Sequence, residues 1–228
     1  MVITAFLPCR KGSQRIPDKN IKPFAGIEGG LLKIKLDQIL QSRKIDRVVL
    51  SSNDERILKY AEQLNEERIV IDQRPEHLGS SSTTTDSLIR YVPSLIEEGH
   101  ILWTHVTSPF MGSLDYDTLI DAYFNGLEKG YDSLMTVLKL QGFIWDKNSP
   151  VSYKRETLKW PMTQNIEPLY EVDSGAFISS AENYSRYQDR IGNKPFLFEQ
   201  NKMKSIDIDW PDDFTFAEEL WKKSISKQ

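Results

Sequence analysis

Along the chain, short apolar runs alternate with longer segments in which apolar residues recur every three or four positions. Residues 2–8 (VITAFLP), 47–52 (RVVLSS), 68–72 (RIVID), 100–106 (HILWTHV) and 133–138 (SLMTVL) have the length and apolar content of buried strands. Between them, Leu32, Leu36, Ile39 and Leu40 share one helical face. Ile57, Leu58 and Ala61 do the same behind Asp54, which sits where a helix cap belongs, and Leu119, Ile120 and Tyr123 mark a third helix. Strands separated by helices predict parallel pairing through right-handed crossovers, hence a three-layer α/β/α sandwich around a mainly parallel, Rossmann-like sheet. In such sheets ligands lie beyond the carboxyl ends of the strands, so the loops after the first and fourth strands are where chemistry is expected.

The pattern breaks at residues 141–171, which carry Trp145, Tyr153, Trp160, Tyr170 and three prolines with no regular period. This stretch is too apolar for a flexible linker, and it predicts an arm that packs on another subunit. Beyond it, GAFIS, PFLFE and KSIDID read as strands, and residues 212–223 as a closing helix. The whole of 1–228 is expected to form one domain, with the arm inside it.

Composition narrows the functional classes. The chain has 228 residues, a formal net charge of −4 and 27% charged residues. It therefore lacks the basic footprint of a nucleic-acid binder, and phosphate recognition has to come from a few placed groups. Cys9 is the only cysteine, which excludes an intrachain disulfide and a thiolate metal cage. No apolar stretch approaches a membrane span. A cytoplasmic protein with neither nucleic-acid nor membrane partners is expected.

Two segments stand out chemically. Residues 7–20 (LPCRKGSQRIPDKN) place Arg10, Lys11, Arg15 and Lys19, with Gly12 and Ser13, in the loop leaving the first strand. A triphosphate needs both clustered cations and closely approaching backbone amides, and glycine permits the second. Residues 205–214 (SIDIDWPDDF) put Asp207 and Asp209 on one side of an extended chain. Paired carboxylates repel unless a cation lies between them, and an oxygen-only set suits magnesium. A solvated basic turn and an acidic helix cap are the plainer readings of the same residues. At the end of the fourth strand, residues 103–110 (WTHVTSPF) present His105, Thr107 and Ser108. Residues 74–87 (RPEHLGSSSTTTDS) combine a hydroxyl run with a helix start capped by Asp86 or Thr83.

Together these segments resemble the acylneuraminate (CMP-sialic acid) cytidylyltransferases and, more distantly, the CMP-Kdo synthetases. The likeness covers nearly the whole chain and is weakest across 141–171. CRKGSQRIPDKN is similar to that family's A-R-x-G-S-x-R-I-P-x-K-N loop, which implies nucleotide contacts from Arg10, Ser13, Arg15, Lys19 and Asn20. RPEHLGSSSTTTDS resembles R-P-x-x-L-A-x-D-x-x-S/T and carries over Arg74 and Thr85, with Ser81 at the aspartate position. THVTSPF resembles L-Q-P-T-S-P-L-R, with His105 at a glutamine that helps hold the sugar and Met111 at the arginine. DSGAFI resembles N-G-A-I-Y-I with Ser174 for asparagine, and Gln164 falls where the family grips the sugar carboxylate with arginine, a role that Lys154, Arg155 or Lys159 of the arm could take instead. SIDIDWPDDF matches D-I-D-x-x-x-D, implying Asp207 and Asp209 as Mg2+ ligands with Asp213 nearby.

The resemblance implies a nucleotidyltransferase (GT-A-like) sheet with a protruding dimerisation arm, and a homodimer. The expected reaction is attack of the anomeric hydroxyl of an acidic sugar on the α-phosphate of CTP, with pyrophosphate leaving. Arg10, Lys19, Asp207 and Asp209 are the catalytic candidates, and His105, Thr107, Ser108, Gln164 and Ser174 the acceptor contacts. No general base stands out. A hydroxyl acidified by magnesium is the first candidate and His105 the second. Alternatives are a nucleotidyltransferase with another nucleotide or a sugar-phosphate acceptor, and a non-catalytic sugar-nucleotide binder.

Overall fold

The computed structural model describes residues 1–225. Among these, seven strands form one sheet in the order β3-β2-β1-β4-β6-β5-β7. They are β1 (Ile3–Cys9), β2 (Arg47–Ser52), β3 (Ile69–Gln73), β4 (His100–Thr104), β5 (Ser133–Leu140), β6 (Leu169–Ser180) and β7 (Pro195–Gln200). The helices are α1 (Gly30–Gln41), α2 (Glu55–Leu64), α3 (Thr85–Tyr91), α4 (Ser113–Glu128), α5 (Ala181–Tyr187) and α6 (Pro211–Ile225). Alternation along β1 divides the core. Ile3, Ala5, Leu7 and Cys9 face a layer containing α1, α2, α4 and α6, whereas Phe6 faces α3 and α5. Three layers result, as the pattern predicts.

β1 pairs in parallel with β2 and β4, β2 with β3, and β5 with β7. β6 alone runs antiparallel to both of its neighbours, β4 and β5. The reason is connectivity: no helix carries the chain back between β5 and β6, so β6 returns from the edge at which β5 ended. The carboxyl ends of β1, β4, β5 and β7 therefore share one edge with the amino end of β6.

Local signals hold in part. Asp54 caps α2 by accepting from Arg56 N. α6 begins with Pro211 in its first turn, and Asp213 Oδ2 accepts from Trp210 N at 2.7 Å. The cap of α3 is Thr84, which accepts from Ser87 N, rather than Asp86 or Thr83. Residues 204–209 form no strand, because this stretch crosses the sheet edge and its Ile208 N bonds to Thr107 O in the turn after β4 rather than to a neighbouring strand.

The aromatic stretch is shorter than the sequence suggests, since Leu169, Tyr170 and Glu171 belong to β6 and pair with Leu140, Lys139 and Leu138. The remainder, 141–168, is irregular apart from one bridge, Trp145–Pro150, and a short 3-10 turn at Thr163–Asn165. Its aromatic residues stack on one another. Phe143 meets Tyr153 and Trp160 edge-on, and the Arg155 guanidinium lies over Trp145 and Trp160. Even so, Trp160 stays 61% exposed, Leu158 56% and Met162 61%. Own-chain packing does not cover this segment.

Candidate active site

The loop after β1 is built to hold its cations over the sheet edge. Gly12 has φ 74°, a conformation glycine takes without strain, and the Asn20 side chain ties the loop by donating to Arg10 O at 3.1 Å. Lys11 N donates to Asn53 Oδ1 at 2.9 Å, and Ile16 plugs into the core. The cationic head groups are left at a cleft of about 270 Å³ lined by Arg10, Ser13, Gln14, Arg15, Lys19, Asn20, His105, Thr107 and Asp209, with Pro8 and Val106.

Lys19 is the hinge between the two ends of the chain. Its Nζ donates to Ile208 O at 2.6 Å and to Asp209 Oδ1 at 3.4 Å. Burial lowers its pKa, opposed by the charges of Asp209 and Asp207. Arg15 pairs with Asp209 Oδ2 at 3.0 Å and stacks on Trp210. The 201–210 segment leaves β7 at the far end of the sheet and reaches β4, where Ile208 N donates to Thr107 O at 2.9 Å.

The two aspartates sit differently. Asp209 has a 45% exposed side chain and lines the cleft against both cations. Asp207 lies behind it and lines neither this cleft nor the one beside it; Thr107 hydrogen-bonds its carboxylate, yet its Oδ1 is buried without a partner. Burial pushes its pKa up, and the Asp209 and Asp213 charges add to this. Asp213 itself is occupied in capping α6.

A second cleft, of about 290 Å³, adjoins the first across Pro8, Arg10 and His105. Arg74, Ser81, Thr83, Thr84, Thr85 and Trp103 are among its walls. Arg74 is buried and anchored by Nε to Ser51 Oγ at 3.0 Å and by NH2 to Ser51 O at 2.7 Å. A cation beside hydroxyls and an indole suits a nucleoside better than a bare phosphate. Trp103 and Gln14 line the clefts without having stood out in the sequence. Trp103 was legible in principle, because strand alternation puts it on the same side as His105.

His105 stands between the clefts and is unfit as a base. Burial, then the charges of Arg190, Lys35 and Lys19, push its pKa down to about 3. Its Nε2 accepts from Trp103 Nε1 at 3.0 Å, so the proton of the neutral ring is on Nδ1. His105 is thus a hydrogen-bonding wall residue.

Of the remaining acceptor candidates, Thr107 lines the first cleft, whereas Ser108, Gln164 and Ser174 line neither. Ser108 is 1% exposed and its hydroxyl has no partner. Met111, at the family's arginine position, is wholly buried. Gln164 is on the exposed arm, where its carbonyl accepts from Gln141. Ser174 sits in a β6 bulge opposite Thr136 with φ 58°. Asparagine tolerates that conformation better than serine, which accounts physically for the residue the resemblance puts there.

With the geometry in view, residues 4–228 match the cytidylyltransferase family profile. The chain belongs to the cytidylyltransferase family. It is 26% identical over 223 residues to the N-acylneuraminate cytidylyltransferase of Streptococcus agalactiae serotype V, covering 91% of this chain and 50% of that protein. It is also 26% identical over 229 residues to the pseudaminic acid cytidylyltransferase of Campylobacter jejuni, covering 95% and 94%. The chain thus spans about half the length of the acylneuraminate relatives it matches and nearly all of the pseudaminic one. A solved CMP:2-keto-3-deoxy-manno-octonic acid synthetase, complexed with CTP, superposes with a TM-score of 0.68 at 14% identity, covering 98% of this chain and 100% of that one. That likeness establishes the nucleotidyltransferase fold of this cytidylyltransferase chain.

Proposed function

We propose that the chain transfers CMP from CTP to the anomeric hydroxyl of a sialic acid or a related nonulosonic acid, releasing pyrophosphate. The observation that carries this reading is the meeting of the β1 loop with the segment after β7. Lys19 and Arg15 converge on Asp209 beside Arg10 and Ser13, next to a nucleoside-sized cleft. The names of the relatives support the acceptor class.

In this reading Arg74, Thr85 and their neighbours hold the nucleoside, and the β1 loop holds the triphosphate. The hydroxyl attacks in line. Charge then builds on the α-phosphate oxygens and on the departing pyrophosphate, where preorganised Arg10 and Lys19 stabilise it at little reorganisation cost. His105 donates from Nδ1 and orients a ligand without exchanging its proton.

Magnesium is part of the proposal, and the residues fit it. Asp207 Oδ1 is a buried, partnerless carboxylate oxygen close to Asp209, a donor set suited to a hard cation. Asp207 and Asp209 would hold the ion; among the described residues no group of three or more His, Cys, Asp or Glu side chains assembles. When bound, the ion supplies Lewis-acid neutralisation of phosphate charge.

The reading also includes a homodimer through the arm, supported by Trp145, Leu158, Trp160 and Met162 being 44–61% exposed and by an arm cavity of about 640 Å³ that Leu158, Val151 and Tyr153 help line. Gln164 and the arm cations would then serve a site shared between subunits. No helix among the described residues is long and apolar enough to cross a membrane, which is compatible with a cytoplasmic setting.

Pyrophosphate release decides the matter, measured with each of four nucleoside triphosphates against sialic, Kdo, legionaminic and pseudaminic acids. Turnover with CTP and at least one nine-carbon acid is expected. CTP binding without turnover on any acid would leave a sugar-nucleotide binder instead.

A further inference from the structure

Helix α1 carries a lysine where a core-facing helix calls for an apolar side chain. Lys35 is completely buried, with Leu31, Leu32 and Leu36 beside it on α1. Its Nζ donates to Ser108 O at 2.8 Å, Met111 O at 3.3 Å and Tyr116 Oη at 2.6 Å. An ammonium has three N–H groups, and here each finds an oxygen, which is the condition for burying it. One turn further, Gln38 Nε2 donates to Pro109 O at 2.5 Å. α1 therefore grips three carbonyls of the turn that follows β4.

The contacts continue in one direction. Tyr116 accepts from Lys35, so its hydroxyl proton points to Thr104 Oγ1 at 2.9 Å, and Thr104 in turn donates to Gly175 O at 2.8 Å. Each hydroxyl accepts once and donates once, so the bonds reinforce one another in a dry interior. The relay ends on the carbonyl beside Ser174, in the β6 bulge. Bulge and turn also touch directly, since a Cβ at Gly175 would lie 2.5 Å from Met111 Sδ.

We propose that Lys35 is a positioning residue: through Tyr116 and Thr104 it fixes the Ser174–Gly175 bulge against the 105–111 turn, and so sets the wall that His105, Val106 and Thr107 give the first cleft, read as its acceptor side. The word acceptor rests on the transfer proposed above; the mechanical coupling does not. Burial pulls the Lys35 pKa down to about 7, with Asp115 on α4 opposing the shift. The other titratable groups around it are Asp115, which is ion-paired to Lys204, Tyr116, whose phenol is pushed up by burial, and His105, held neutral. Loss of the Lys35 proton leaves two donors for three acceptors.

Amide hydrogen exchange on the full chain tests this with Lys35→Met and Tyr116→Phe, the second leaving the ammonium in place. At pH 6, at least tenfold faster exchange is expected in both variants, confined to residues 105–112 and 173–177. Segments 47–73 and 141–168 should be unchanged. In wild type the same two segments should loosen between pH 6 and 8.5, after correction for intrinsic rates, whereas Lys35→Met should show no such change. With the acid that wild type turns over, KM for the acceptor should rise about tenfold and KM for CTP stay within twofold. Unchanged exchange at 173–177, or a uniform rise across the sheet, overturns the relay. If Lys35→Met does not fold, Tyr116→Phe decides. If wild type turns over no acid, the transfer reading fails and the exchange result still judges the relay.

Discussion

The cationic edge of the sheet and the arm meet the same solvent with opposite solutions. At the cationic edge three of the cations are anchored: Lys19 hangs between Ile208 O and Asp209, Arg15 pairs with Asp209, and Arg74 is bolted to Ser51 on β2. The arm has no sheet to lean on. Its aromatic residues stack on one another and on Arg155, and a large apolar surface stays uncovered. The contrast teaches that one chain suffices to build a cationic cleft on strand ends, because backbone bonds and ion pairs fix it. Covering an irregular apolar segment needs area that this segment does not supply.

The sharpest way to break the cationic side of that comparison is to remove its carboxylates. Asp207→Asn and Asp209→Asn are each expected to cut magnesium-dependent turnover by at least about a hundredfold, in line with loss of one preorganised charge partner. Their stabilities should diverge. The Asp207 pKa is raised by burial, so its ionised form costs stability above that pKa; Asp207→Asn should raise Tm at pH 7, and the gain should vanish once pH falls below the unfolded value. Asp209→Asn leaves buried Lys19 with one partner fewer and should lower Tm. Equal Tm shifts in the two variants would contradict the placement of Asp207 behind Asp209.

Arg10→Ala comes next. The bond from its guanidinium is a long, exposed one to Ser80 O at 3.3 Å, so Tm should not move. kcat/KM for CTP should fall by a factor corresponding to about 2–4 kcal/mol. A value near wild type would remove Arg10 from the triphosphate.

Trp160→Ala probes the other region. Light scattering of wild type at micromolar concentration should give twice the chain mass of 26.4 kDa, and the variant should shift toward one chain mass with a fall in activity of about tenfold or less. A wild-type monomer would mean that the arm closes over its own sheet.

His105→Gln sharpens the boundary between the two clefts. With a folded pKa of about 3 against an ordinary 6.5, wild-type His105 is neutral when folded but takes a proton when unfolded. It therefore costs stability as pH falls below 6.5, progressively until about 3. Substitution should raise Tm at pH 5 and leave it unchanged at pH 8, and the acidic limb of the rate profile should not move. A lost limb would restore His105 as the base. The smallest effect belongs to Ser174→Gly: relief of φ 58° should add about 1 kcal/mol or less, offset by greater chain entropy in the unfolded state.

Much of this protein was legible as sequence, for local reasons. β2 has the bounds its apolar run predicts, Asp54 caps α2, and the β1 loop collects its cations because four of them lie within ten residues behind one strand. Strand period and cap chemistry act between near neighbours, so a linear reading captures them. Its failures were non-local. The KSIDID stretch has the alternation of a strand yet forms none, because an edge crossing took it to Lys19 and Thr107 instead. Serine 108 reads as a site hydroxyl but is turned inward beneath the turn that Lys35 holds. Lysine 35 itself reads as an ordinary helical lysine, and its burial is set by oxygens supplied from residues 108, 111 and 116. Residue order determined which elements form and which charges accompany them. Which carbonyl a cation meets, and which carboxylate is left without a partner, depended on groups brought together across the chain, and only the packed structure fixes those.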